Sequence, residues 1–340
     1  MQNTQALMTY KEAITQAQKE EMERDQSVIL IGEDLTLHGN TELIDTFDKK
    51  RLRSTPVSEN SLTGMGVGAA MSGLRPIVDL TVASFVYLAS DPIINQAAKQ
   101  RYMTGGQTQV PIVFRIWMYY DDTGNGAQHT DRPYAMFMNS PGLKIIVPST
   151  ASDMKGLLKS AIRDNDPVLI FEDLKLWDDK ELVFNDPNFL IPIGKADIKR
   201  PGSDLTLVSI GACLNIALSA AEKLDIEGIS VEVIDPRTLV PMDRDAILSS
   251  VAKTGRLVIV ENAHRTNGAS AEIAAFVSDQ GFHNLKAPIQ RITTPDIHIP
   301  ACAQLEKQLY PTEGDILRII RGLIQKQADS RLSNQPTWEK

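Results

Sequence analysis

Short apolar runs alternate with longer amphipathic stretches along most of the 340-residue chain. Val28-Ile-Leu-Ile31, Pro76-Ile-Val-Asp-Leu80, Pro111-Ile-Val-Phe-Arg-Ile116, Lys144-Ile-Ile-Val147 and Val168-Leu-Ile-Phe171 have the length and composition of buried strands. Thr9 opens an amphipathic helix that runs to about Asp25, and Ser149 or Ser152 caps another that reaches about Arg163. Apolar strands separated by helices belong in a mainly parallel sheet covered on both faces. Between residues 185 and 203 the pattern breaks into Pro187, Pro192, Gly194, Pro201 and Gly202 with scattered charge, which reads as a linker. A second α/β unit follows. Its strands are Leu205-Thr-Leu-Val208, Val231-Glu-Val-Ile234 and Leu257-Val-Ile-Val260, and its helices start near Ala212, Asp243 and Ala269. Thr312 and Asp315 cap a last helix reaching about Lys326. The expected organisation is an α/β domain over residues 1–184, a linker over 185–203, a second α/β domain over 204–327 and a polar tail over 328–340.

One stretch departs from this alternation. From Leu52 to Pro76 a single acid, Glu59, precedes Gly64, Gly66, Gly68, Ala69, Ala70 and Gly73. Pro56 opens a turn, and Ser61 or Thr63 is placed to cap the helix that follows. Glycine inside a helix costs about 1 kcal/mol against alanine, so several together require something packed very close, a neighbouring backbone or a flat ligand. Gly64-x-Gly66-x-x-Ala69 fits a dinucleotide fingerprint in spacing only. That fingerprint needs an apolar strand running into the first glycine, and the residues here are polar and include Pro56.

Composition narrows the classes. Hydrophobic content of 42% and charged content of 23% are those of an ordinary globular protein, and the length calls for two cores. A net charge of -8 with no concentrated basic face excludes nucleic acid as a partner. Cys213 and Cys302 are far apart and lack metal-ligand spacing, which indicates neither a disulfide framework nor a zinc site. No run approaches the eighteen apolar residues of a membrane span, and the N-terminus lacks a signal-peptide pattern, so a cytoplasmic location is expected.

A longer set of motifs points to a family. Gly32-Glu-Asp34, Pro56-Val-Ser-Glu59, Gly66-Val-Gly-Ala-Ala70, Gly73-Leu-Arg-Pro76, Asn95-Gln-Ala-Ala-Lys99, Tyr102-Met-Thr-Gly-Gly106, Ala127-Gln-His129 and Pro141-Gly-Leu-Lys144 occur in order. Ala161-Ile-Arg-Asp164, Pro167-Val168, Val233-Ile-Asp-Pro-Arg-Thr-Leu239, Lys253-Thr-Gly-Arg256 and Ala271-Glu-Ile273 continue them. From about Met8 to about Gly322 the chain resembles the beta subunit of the E1 component of thiamine diphosphate-dependent 2-oxo acid dehydrogenases. The resemblance implies two three-layer α/β/α domains with mainly parallel sheets, a pyrimidine-binding domain followed by a transketolase C-terminal-like domain. It implies decarboxylation of a small 2-oxo acid such as pyruvate and transfer of the acyl group to a lipoyl-bearing E2.

The same resemblance assigns roles. Glu59 matches the acid that hydrogen-bonds the cofactor's aminopyrimidine, a task that needs a buried carboxyl with a pKa raised toward neutrality. Phe85 matches the ring that stacks on the pyrimidine. His129, in Gly126-Ala-Gln-His-Thr130, matches an active-site histidine that holds the substrate carboxylate or moves protons during acyl transfer. A possible potassium site draws on Ile112, Ala161, Ile162, Asp164 and Asp166, the last standing where some relatives have an amide. Proteins of this class hold the diphosphate through Mg2+ with a Gly-Asp-Gly sequence, whereas here the only Gly-Asp is Gly314-Asp315, followed by Ile316. The Mg2+ ligands are therefore expected from an alpha subunit, in an α2β2 assembly whose packing the small-residue helix supports.

Departures from the family pattern bear on substrate. In place of Arg-x-Pro-x-Gly the chain reads Arg115-Ile-Trp-Met-Tyr-Tyr-Asp-Asp-Thr-Gly124. Trp117, Tyr119 and Tyr120 are expected to narrow the channel through which an acyl acceptor arrives. A carboligase of similar build, handing the same carbanion to another electrophile, is the alternative reading.

Overall fold

The computed structural model describes residues 5–36, 40–119 and 124–333, with side chains as far as Gln325. His38, Tyr120, Asp121, Asp122 and Thr123 lie outside the described residues. Contacts divide the chain into two units: residues 1–196, 236–243 and 297–309 in the first, and 197–235, 244–296 and 310–340 in the second.

The first unit is built on a seven-stranded sheet. Its order is Thr238–Val240, Lys144–Ile146, Val168–Asp173, Val113–Met118, Arg75–Val82, Val28–Glu33, Leu52–Thr55. All neighbours are parallel except Thr238–Val240, which returns antiparallel onto Lys144–Ile146. The central strands are buried from end to end, as their near-continuous apolar runs require. Two strands of this sheet were not expected: the polar edge strand Leu52–Thr55, and Thr238–Val240, too short to show a period.

Local chemistry explains the helix boundaries. Thr9 and Glu12 form a reciprocal capping box that starts the Tyr10–Arg24 helix. The Ala151–Arg163 helix is capped by Thr150, whose Oγ1 accepts from the Asp153 amide at 3.1 Å, rather than by Ser149 or Ser152 on either side. These two helices pack together, with Glu20 facing Lys155 and Lys159 and Glu21 facing Arg163.

In the second unit the order is Gln290–Thr294, Leu257–His264, Leu205–Ser209, Val231–Asp235, Asp197–Arg200. Only Asp197–Arg200, inside the stretch expected as a linker, is antiparallel. Helices begin at Cys213, Arg244 and Ala269. Thr312 and Asp315 exchange bonds to each other's backbone amides, and the helix they start runs on from Glu313 to Ser333, past the expected end. No helix among the described residues is long and apolar enough to cross a membrane.

The glycine-rich stretch forms the Glu59–Met71 helix, and its glycines divide by face. Gly66 lies on the sheet, where an added Cβ would stand 2.6 Å from Val78 Cγ2 and 3.1 Å from Ile112 Cδ1. Gly64 and Gly68 point away, with nothing within 4 Å of an added Cβ. One glycine therefore answers a close approach inside the chain, and the other two leave a bare outer face. Gly66→Ala is expected to destabilise the isolated chain by roughly 1–3 kcal/mol through overpacking. Gly68→Ala is expected to stabilise it by roughly 0.5–1 kcal/mol through reduced unfolded-state entropy. Urea unfolding of the two variants tests this, and a shift of the same sign in both contradicts it.

Candidate active site

Glu59 is the first residue of the small-residue helix. Ser58, not Ser61 or Thr63, occupies the capping position, and it makes no side-chain bond to the helix amides. The helix thus begins several residues earlier than expected, because the Leu62 amide already donates to the Ser58 carbonyl at 2.9 Å. Glu59 is only 5% exposed. Among the described residues no hydrogen bond or ion pair engages its carboxyl. A buried acid without a partner costs free energy that a hydrogen-bonding group brought to it would offset.

The Glu59 helix packs against the tight helical stretch Ala83–Ala89, which carries Phe85. The half-buried Phe85 ring meets the half-buried His129 ring edge to face, with centroids 5.1 Å apart and planes at 69°. Sequence likeness alone said nothing about this contact. The two segments are joined by backbone as well: the Asp131 amide donates to Ser84 Oγ at 3.3 Å. The histidine loop turns at Gly126, whose φ of +67° a side chain rarely adopts, and there an added Cβ would press on Ala301. Thr130 Oγ1 donates to the Gly126 carbonyl at 2.8 Å, and the Gly124 amide donates to buried Glu306 at 3.2 Å.

A belt of buried charge crosses the central strands ahead of the Phe85 stretch. Asp79 and Arg115 are register partners on neighbouring central strands, and Glu172 lies on the next. Arg115 donates to both Glu172 oxygens at 2.6 and 2.9 Å and to Asp79 at 3.3 Å. Asp79 in turn accepts from the Thr81 amide at 3.1 Å, and Thr81 Oγ1 donates to Glu33 at 3.0 Å. Thr81 has a φ of +52°, a strained value for a β-branched residue, two positions before the Phe85 stretch begins. The belt therefore holds the end of the Arg75–Val82 strand in the geometry that launches Phe85. Burial works against the Arg115 charge, but Glu172 and Asp79 outweigh it and raise its pKa. Burial pushes the Glu172 carboxyl up, opposed by Arg115. The phenol of buried Tyr10 is pushed well above its ordinary value by burial and then by the charges of Glu172 and Asp173. These residues were not singled out from sequence, although a charged residue inside an apolar run, as at Asp79 and Arg115, signals a buried pair.

The transketolase pyrimidine binding domain pattern matches residues 6–177, and the transketolase C-terminal domain pattern matches 194–316. The chain is 42% identical over 335 residues to the acetoin:2,6-dichlorophenolindophenol oxidoreductase subunit beta of Bacillus subtilis (strain 168), covering 94% of this chain and 97% of that one. It is 40% identical over 308 residues to the 2-oxoisovalerate dehydrogenase subunit beta of the same bacterium, covering 89% and 94%. Over 330 residues it is 41% identical to the pyruvate dehydrogenase E1 component subunit beta of Rhizobium meliloti (strain 1021), covering 94% and 71%. This chain belongs to the E1 beta subunit family. Among solved structures, one described as a split gene transketolase, inactive beta4 tetramer, superposes with a TM-score of 0.78 at 22% identity, covering 94% of this chain and 98% of that one, a likeness of fold. Membership makes the E1 beta chain a component of an oxidoreductase of the dehydrogenase type rather than a carboligase, and implies thiamine diphosphate as cofactor and an alpha subunit as partner.

The remaining expected positions of this E1 beta subunit are placed differently. Trp117 is the penultimate residue of the Val113–Met118 strand, is 7% exposed and packs edge-on against Trp177 with centroids 4.8 Å apart. It fills the interior behind the strand end rather than an open wall. Tyr119 is half-buried and its carbonyl accepts from Arg132, while Tyr120 falls outside the described residues. The groups assigned to potassium are engaged within the chain. Arg75 donates to the carbonyls of Ile162 at 3.1 Å and Asp164 at 2.8 Å. Lys144 bonds both oxygens of Asp164 at 2.7 and 2.6 Å, and Asp166 lies between Arg101 and Lys144. The Ala161 carbonyl accepts from the Asp164 amide, and the Ile112 carbonyl from the Val168 amide. The Ile162, Asp164 and Asp166 oxygens thus already face two guanidinium groups and an ammonium group, whereas the Ala161 and Ile112 carbonyls take only backbone amides. Among the described residues no group of three or more His, Cys, Asp or Glu side chains is arranged to hold a metal.

Arg115→Met would leave Glu172 and Asp79 buried without their countercharge, at a cost of roughly 3–5 kcal/mol. Thermal unfolding should show the loss, whereas a midpoint within a few degrees of wild type would mean that the belt does not support the fold.

Proposed function

We propose that this E1 beta chain contributes the pyrimidine side of a thiamine diphosphate site shared with its alpha subunit in an α2β2 enzyme. Thiamine diphosphate, when bound, supplies the carbanion chemistry by which a 2-oxo acid loses carbon dioxide. Glu59 holds a proton toward the aminopyrimidine, Phe85 offers its ring face, and His129 orients the substrate carboxylate or moves a proton as the acyl group leaves for a lipoyl domain of E2. Pyruvate and branched-chain 2-oxo acids are the substrate class, in line with the names of the relatives. Mg2+ and the diphosphate fall to the alpha subunit, because this chain has no Gly-Asp-Gly sequence.

The observation that carries the reading is the Glu59 carboxyl, buried at a helix start and without a partner among the described residues, on a helix packed against the Phe85 stretch. A carboxyl held so can exchange a proton with a ring nitrogen; an amide cannot. Glu59→Gln in the assembled enzyme is expected to lower ferricyanide-linked decarboxylation by roughly 10²- to 10⁴-fold while sedimentation shows assembly unchanged. Activity within about threefold of wild type would remove Glu59 from this role, since general acid-base groups contribute far more.

A further inference from the structure

The histidine loop contains an arginine with no role in the reading above. Arg132 follows His129 by three residues, and its side chain is 2% exposed. Its guanidinium donates to the Thr130 carbonyl at 3.0 Å and to the Tyr119 carbonyl at 2.6 Å, and stands 3.7 Å from buried Asp173. One side chain thus ties the residue after His129 to the residue after the Val113–Met118 strand and to the end of the Val168–Asp173 strand. Other bonds of the loop hold single points: the His129 amide and Thr130 Oγ1 reach the Gly126 carbonyl at 3.3 and 2.8 Å, the Gly124 amide reaches Glu306, and the Asp131 amide reaches Ser84. A buried cation is a costly way to close a loop, and an apolar side chain would close it with less desolvation. What a guanidinium adds is a planar fork that fixes two carbonyls in one geometry, which a lysine ammonium does not reproduce.

We propose that Arg132, braced by Asp173, is a positioning residue for His129: it holds the loop so that the imidazole stands edge-on to Phe85. The effect on turnover rests on the role given to His129 above, whereas the effect on the ring's placement does not. Arg132 acts through the Thr130 carbonyl on the backbone that carries the histidine.

Two measurements test this. The chain has five histidines, so ¹³Cε1-histidine labelling of the full chain gives a simple spectrum, with His129 assigned by its loss in His129→Asn. Arg132→Lys and Arg132→Gln are expected to move the His129 resonance, which feels the Phe85 ring, and to leave the other four in place. An unmoved His129 resonance in folded variants overturns the proposal, as does a uniform collapse of all five in both, which would mark Arg132 as a folding residue. In the enzyme assembled with its alpha partner, Arg132→Lys is expected to slow lipoyl-domain acylation by about 10- to 100-fold, the scale of a small misplacement of a reacting group. In the His129→Asn background the same change should cost almost nothing further. An equal loss in both backgrounds shows that Arg132 acts independently of His129 and overturns the proposal. If His129→Asn alone leaves the rate intact, the role of His129 fails, and the resonance alone decides whether Arg132 places the ring.

Discussion

A guanidinium in the middle of a parallel sheet is the constraint on which the first unit depends. Arg115 lies on a strand buried from end to end, where no water can solvate its charge. Its two carboxylate partners must therefore come from the neighbouring strands, and they do, from Asp79 on one side and Glu172 on the other. This fixes the register of three strands by charge as well as by apolar packing. The second Asp79 oxygen then takes the Thr81 amide and holds a strained residue where the chain must leave the sheet and turn into the Phe85 stretch. A purely apolar strand end would pack as well, but it would not set that exit angle.

From this exit the site is assembled out of segments distant in sequence. The Glu59 helix packs against the Phe85 stretch because Gly66 lets it approach Val78 and Ile112. The histidine loop is joined to the same stretch by a ring contact and by the Asp131 amide. Each connection is weak alone, about 0.5–1.5 kcal/mol for an aromatic pair or a hydrogen bond. Their geometry is sharp because a rigid sheet lies beneath all of them.

Much of this was legible before the structure. The central strands read directly from their apolar runs, and the Tyr10–Arg24 helix from Thr9 and Glu12. Glu59 stood out as the one acid ahead of a run of glycines. The strand Thr238–Val240 was not legible, since three residues carry no period, and neither was the cap at Thr150, flanked by two equally good candidates. Trp117 shows a subtler limit. A bulky aromatic where the family pattern has proline suggests a narrowed channel, but the alternation of a strand decides whether it faces in or out, and here it packs on Trp177. Arg132 carried no signal at all, because its partners are two carbonyls and a carboxylate from three different segments.

The proposed function divides the labour: this chain would offer Glu59 and the Phe85 ring to the cofactor's pyrimidine and leave the diphosphate to the alpha subunit. Titration calorimetry of thiamine diphosphate with Mg2+ tests that division most directly. The purified chain should show no saturable binding up to about 1 mM, and addition of the alpha subunit should create a tight site. Micromolar binding by the chain alone would contradict the account, because it would require the chain to hold the diphosphate without a Gly-Asp-Gly sequence.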